Sequence, residues 1–186
     1  MSWYEFLLFV HISAAAVWLG GAFIFQVYGM AVRSGGDARE IGMFAGRAGR
    51  LGEKVFVPAS LLVLLAGVGL MIEGSWDWGR LWVIYALVAY AGSFVSGLFH
   101  IAPTAKRLEV VGAETPEGQE LIRKIFMSLR IELVFLYAIV FAMTVKPTFD
   151  DGWTVFVAAA VLVAAVAAIL ARSRGTDAPV PVRAEA

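Results

Sequence analysis

Cysteine is absent from the 186 residues. That excludes disulfides, thiolate-bound zinc and iron–sulfur clusters, and any redox chemistry must then come from a bound cofactor. Charge is scarce too: Asp, Glu, Lys and Arg make up 16% of the chain and balance to a formal net charge of zero. No global field draws in nucleic acid or an acidic partner. A phosphate loop is missing, because Gly46-Arg-Ala-Gly49-Arg-Leu-Gly52 lacks the lysine and hydroxyl that such a loop requires. Met30, Met43, Met71, Met127 and Met143 are scattered singly rather than grouped as a soft copper site needs. Neither a paired-carboxylate nor a His-x-x-Glu-His motif supports a metal hydrolase. No Lys or Arg precedes Arg33, whereas a cleavable signal starts with a basic stretch, so the first apolar run reads as a retained helix.

What fills the chain instead is apolar. With 60% hydrophobic residues and a mean hydropathy of +0.79, it cannot be arranged as a water-soluble globule. The expectation is an all-α polytopic membrane protein, a bundle of five transmembrane helices at about 3–28, 55–72, 81–102, 125–145 and 153–170. Residues 1–172 then form one transmembrane domain in contact with membrane lipid, and the Pro-, Ala- and charge-rich 173–186 a disordered cytoplasmic tail. Between the first two spans, Ala31 to Glu53 reads as an amphipathic cytoplasmic segment. Pro58 is expected to kink the second span, and Pro103 to end the third. Lys106 to Glu120 reads as a solvated loop, and Thr115-Pro116 as a helix start, Thr capping and Pro in the first turn.

Basic residues set the orientation, since Lys and Arg are retained on the cytoplasmic side. With the N-terminus outside, the inner segments hold thirteen of the fifteen basic residues and the outer ones only Arg80 and Lys146. An odd number of spans leaves the C-terminus in the cytoplasm. Trp3, Trp76, Trp78, Trp82 and Trp153 then all fall at the outer headgroups, where amphipathic rings collect. Such a chain is expected in a bacterial inner (plasma) membrane as a multi-pass protein.

Within this frame the polar residues sort by depth. His11, Tyr90 and Tyr137 share a level roughly 12–14 Å below the outer ends of their helices, at the usual helical rise. An ionisable group inside a span is a functional-site hypothesis. His11 has two open readings: an axial ligand to haem or a proton-transfer group, with Tyr90 and Tyr137 beside it, or a histidine satisfied by Tyr90, Tyr137 or a carbonyl. His100, near the inner boundary, lies too deep to share a metal with His11 and reads as structural, pairing with Glu132. Arg130 can snorkel to the inner surface. Glu132 must find Arg47, Arg50, Lys106 or His100 as a partner, or be carried neutral. Gly92, Ser93, Ser96 and Gly97 form a small-residue face suited to close helix contact, within the chain or in a homo-oligomer.

Three motifs carry a resemblance: Leu-Phe-Val-His11-Ile-Ser-Ala-Ala-Ala-Val-Trp18-Leu-Gly20-Gly21, Gly-Arg-Ala-Gly-Arg50-Leu-Gly-Glu-Lys-Val-Phe-Val-Pro58 with Gly67-Val-Gly69 after it, and Trp78-Gly-Arg80-Leu-Trp82-Val. The chain resembles a bacterial family of small predicted integral membrane proteins of unknown function. It is similar, more distantly, to the copper-resistance D proteins and the HemJ-type protoporphyrinogen oxidases. That likeness implies a membrane bundle associated with haem through a histidine early in the first span, which here is His11. The HemJ pattern also carries a lysine and a second histidine in the third span, where this chain has Tyr85 and Tyr90 instead. The functional expectation is a membrane protein holding haem or a related porphyrin through His11. The competing expectations are an accessory or scaffold subunit, in which His11 and Glu132 only tie helices together, and a small transporter.

Overall fold

In the computed structural model, which describes residues 1–151, 164 and 166–169, every regular element is helical. The first, α1 (Trp3–Gly35), starts at a reciprocal cap: Ser2 Oγ accepts from the Glu5 amide, and the Glu5 carboxylate accepts from the Ser2 amide. Its 33 residues span about 50 Å, more than the ~30 Å hydrocarbon core, so its last turns stand clear of the apolar layer. Gly36 stops it in the left-handed conformation, φ 77°. Asp37 then caps α2 (Ala38–Leu51), its Oδ1 accepting from the Arg39 amide at 2.8 Å.

α2 does not end before the membrane. A π-helical turn, Gly52–Phe56, carries it directly into α3 (Val57–Glu73), so that Arg39–Glu73 is one long helix. The same construction recurs in reverse order, where α4 (Leu81–Ser96) passes through a second π-helical turn, Gly97–Ile101, into α5 (Ala102–Val111). In each turn the residue just before the proline donates its amide to the opening glycine, Val57 to Gly52 O and Ala102 to Gly97 O. Pro58 and Pro103 follow at once. A proline removes an amide and crowds the carbonyl of the preceding turn, and a π turn widens the helix where that crowding falls. Pro103 therefore does not stop the third span, correcting the sequence expectation, and 102–111 is helix rather than loop. The capped start at 115–116 stands as expected: Thr115 Oγ1 accepts from the Gly118 amide at 2.9 Å and α6 (Pro116–Val145) begins at the proline.

Four helices among the described residues are long and apolar enough to cross a membrane: Trp3–Gly35, Arg39–Glu73, Leu81–Val111 and Pro116–Val145. The fifth expected span, 153–170, and the expected tail, 173–186, lie outside the described residues, apart from helical positions 164 and 166–169. Within the bundle, α1 packs mainly on α3 and α4 mainly on α6. Gly92 lies against the Phe135 ring and Ser93 bonds to Glu132, so that part of the third span's small-residue face serves contact within the chain.

At the end of the bundle away from the α3–α4 connection the helices form a second packed layer. Gly42, Gly46 and Gly49 of α2 approach Ala113, Glu109 and Ala105, the last two on α5, so closely that added Cβ atoms would crowd them. Arg50 ties α2 to Glu109 of α5 at 3.0 Å, and Lys106 of α5 ties to Glu53 of the first π turn at 2.7 Å. Ile41, Phe44, Leu108, Ile122, Ile125 and Phe126 close into the most deeply buried cluster of the chain. Phe126→Ala should therefore cost about 3–5 kcal/mol by opening a cavity there. It should lower the unfolding temperature in detergent clearly, whereas Ile24→Ala on the exposed face of α1 should change stability by less than about 0.5 kcal/mol.

Candidate functional site

His11 sits where α1 crosses α3, and the crossing is close because position 67 has no side chain. A Cβ on Gly67 would lie 3.1 Å from His11 Cε1 and 3.3 Å from Nδ1. The imidazole thus brings its Nδ1–Cε1 edge against the α3 backbone, with Nδ1 2.8 Å from Val63 O. A carbonyl oxygen can only accept, so Nδ1 carries the proton and donates it; in the neutral ring Nε2 keeps a free lone pair. Nε2 has no protein partner among the described residues.

The ring borders a partly open cavity of about 370 Å³ lined by α1, α3, α4 and α6 and reaching the α3–α4 connection, the outer cavity in the expected orientation; its volume is within the size range of small-molecule sites. Its walls are largely apolar, among them Leu8, Val68, Ala86, Ile139 and Met143. Tyr90 lines it as well, donating its hydroxyl to Ser60 O at 3.3 Å and meeting Trp18 edge-on at 5.6 Å between centroids. At the end formed by the α3–α4 connection, Trp76 and Trp82 stand at 84° to each other, and Lys146 Nζ lies 4.7 Å and 5.3 Å from their centroids. Arg80 covers the Trp76 ring at 5.0 Å. Both basic residues of the sparsely charged end therefore gather at this aromatic rim. Next to it, outside the helices, Asp151 accepts from the amide and hydroxyl of Thr148, which holds its carboxyl below the ordinary aspartate range.

Of the residues expected to form the site, His11 and Tyr90 are brought together by this cavity. Tyr137 is not with them: at 50% exposure it points away from the bundle. His100 lies exposed on the second π turn, where only its carbonyl is used, by Thr104 Oγ1. The expected pairing of His100 with Glu132 is not formed. Glu132 Oε1 accepts from Ser93 Oγ, and Oε2 is buried without a partner. Its other expected partners face elsewhere, Arg50 to Glu109 and Lys106 to Glu53. Arg130 is half-buried and enters no ion pair among the described residues. Sequence reasoning missed Gly67 and Lys146 as site residues. The signal for Gly67 was present in Gly67-Val-Gly69, a pair of small residues in the second half of α3, nine and seven residues before Trp76.

His11 is the only His, Cys, Asp or Glu among the described residues lining this cavity, beside the softer or weaker donors Met71, Met143, Tyr4 and Tyr90, and the described residues contain no group of three His, Cys, Asp or Glu able to hold a bare ion. A porphyrin needs no such group, because its own nitrogens supply the equatorial ligands and the protein adds only an axial one. The donor set fits that case. If the His11 ring fixes the α1–α3 distance, Gly67→Val should destabilise the protein by roughly 1–3 kcal/mol. Much of that loss should return in the His11→Ala/Gly67→Val double variant, as read by thermal unfolding of all four members of the cycle.

No curated protein and no solved structure matches the chain. Residues 5–147 match the family described as "Predicted integral membrane protein (DUF2269)". With several helices able to cross a membrane and a match spanning most of its length, this chain belongs to that family of multi-pass integral membrane proteins of unknown function.

Proposed function

We propose that the protein is a bacterial inner-membrane protein that holds a flat, amphiphilic porphyrin, haem foremost, in the outer cavity with His11 Nε2 as the axial ligand. The observation that carries this reading is the committed Nδ1: its bond to Val63 O fixes ring orientation and tautomer and leaves the second nitrogen free beside an apolar cavity. Lys146 and Arg80 at the rim supply charge for the acidic edge of such a ligand, while the aliphatic and aromatic walls suit its faces. When bound, an iron porphyrin would supply electron transfer or ligand exchange at the metal. The chain's part is to orient the imidazole, exclude water from the macrocycle and hold its acidic edge at the outer rim.

The topology proposed with it has five spans, the N-terminus outside and the C-terminus cytoplasmic, with 1–172 as one membrane domain followed by the tail. Thirteen basic residues against two support that orientation, and so does the grouping of Trp76, Trp82 and Lys146 at the end opposite the charged α2–α5 layer. A second reading has its own observation. The histidine ring also fills the α1–α3 crossing over Gly67, which an accessory protein using His11 only for packing would equally show.

Because the chain has no cysteine, single introduced thiols report topology directly. In intact cells Ser75→Cys should react with a membrane-impermeant maleimide, and Glu114→Cys only after permeabilisation; the opposite pattern inverts the orientation. For the ligand, detergent-purified protein titrated with haem should develop a Soret band at one equivalent. The band should be lost in His11→Ala with little change in unfolding temperature. A wild-type protein that takes up no haem, together with a His11→Ala variant that melts early, would leave only the packing role.

A further inference from the structure

The chain holds a second, inner cavity, of about 100 Å³, between the two π-helical turns. Gly52 and Gly97, the residues that open those turns, both border it, and a Cβ on either would meet nothing within 4 Å. Glu132 and its single partner, Ser93, are part of its wall. The space reaches Glu53, which is exposed and paired with Lys106 at 2.7 Å.

A carboxylate in such a place needs a counter-charge, because an unpaired ion out of water costs several kcal/mol. The elements around Glu132 provide none. α1 contributes Trp18, Ala22 and Phe25, α2 Ala48 and Gly49, and α3 and α4 the hydroxyls of Ser60 and Ser93. The second π turn and α5 contribute only apolar side chains, and the one other titratable group in the wall is acidic, Glu53. No Lys, Arg or His forms an ion pair with Glu132 among the described residues. Of its two oxygens, Oε1 already accepts from Ser93 and Oε2 is buried without any donor.

We infer that Glu132 is a proton-binding site, carried as the neutral acid and exchanging its proton with the inner aqueous face through the inner cavity. On release the carboxyl O–H bond breaks, the proton passes to a cavity water as hydronium, directly or across the Ser93 hydroxyl, and the carboxylate remains; uptake is the reverse. The cavity has room for about three waters at roughly 30 Å³ each, and its Glu53 end is open to solvent-exposed charge. The site is separate from the outer cavity, and the inference does not depend on any ligand there.

Infrared difference spectroscopy of the full chain in lipid reads this directly. At mildly acid pH the wild type should show a protonated-carboxyl C=O stretch that Glu132→Gln removes, that disappears as pH is raised, and that shifts in D₂O. Gly97→Leu should fill the cavity, keep the band and slow its D₂O shift several-fold. Absence of any band assignable to Glu132 would mean an ionised group balanced by a bound cation and would overturn the inference. So would a band that never shifts in D₂O, since that acid would be sealed, or a shift rate unchanged by Gly97→Leu, since exchange would then take another route.

Discussion

A helix in lipid must satisfy its own backbone, because hydrocarbon offers nothing to an unpaired amide or carbonyl. Pro58 and Pro103 break that condition in the two middle hairpin arms, and much of this architecture follows from how the breaks are absorbed. Each is preceded by a π-helical turn that opens on a glycine, Gly52 or Gly97. With the extra residue in the turn, the helix widens at the proline instead of ending there, and both arms continue past the apolar layer as α2 and α5. Those extensions and the first π turn meet through three glycines and two ion pairs and close the deepest core of the protein. Because both turns lie at the same end of the bundle and face one another, their widened backbones also leave the inner cavity between them.

The two cavities are divided by a narrow apolar waist. Ala14, Trp18, Ala59, Val63 and Leu136 pack there, and the Trp18–Tyr90 contact joins a ring that borders the inner space to one that borders the outer. Ser60 is shared in a similar way: it borders the inner cavity and its carbonyl accepts from Tyr90. The bundle therefore presents an imidazole to one cavity and the buried Glu132 carboxyl to the other, with the large side chains of Trp18 and Leu136 packed in the cluster between them.

How much of this the sequence carried depends on which geometric variable each feature needs. Helix existence is one-dimensional: Thr115 and Pro116 mark a start, and the structure has it there, while His11 and Tyr90, expected at one level from the rise per residue, line one cavity. Azimuth needs the partner helices. Tyr137 is expected at the same depth as His11 yet is half exposed and outside the cavity, since depth alone does not say which face of α6 meets the bundle. Glu132 went to Ser93 instead of a basic residue for the same reason, and the basic residues had closer acids on α5 and the first π turn. Pro103 was read as a stop because a proline's usual effect is to break a helix. The exception was legible in the repeated spacing from Gly52 to Pro58 and from Gly97 to Pro103, but only once the π turns gave that spacing a meaning.

The two polar groups place different demands on whatever else occupies the bundle. A neutral imidazole that donates Nδ1–H to a helix carbonyl is electrically complete; it permits a ligand on Nε2 but does not require one, since leaving a lone pair in an apolar cavity costs far less than burying a charge. A carboxylate has no such neutral state unless a proton or a cation joins it, and the described walls around Glu132 hold neither cation nor second donor. The histidine end is thus a site by opportunity, and the glutamate end a site by necessity. That necessity does not depend on the outer cavity, because it arises from the described side chains of α1, α3, α4 and the π turns around Glu132, none of which is basic.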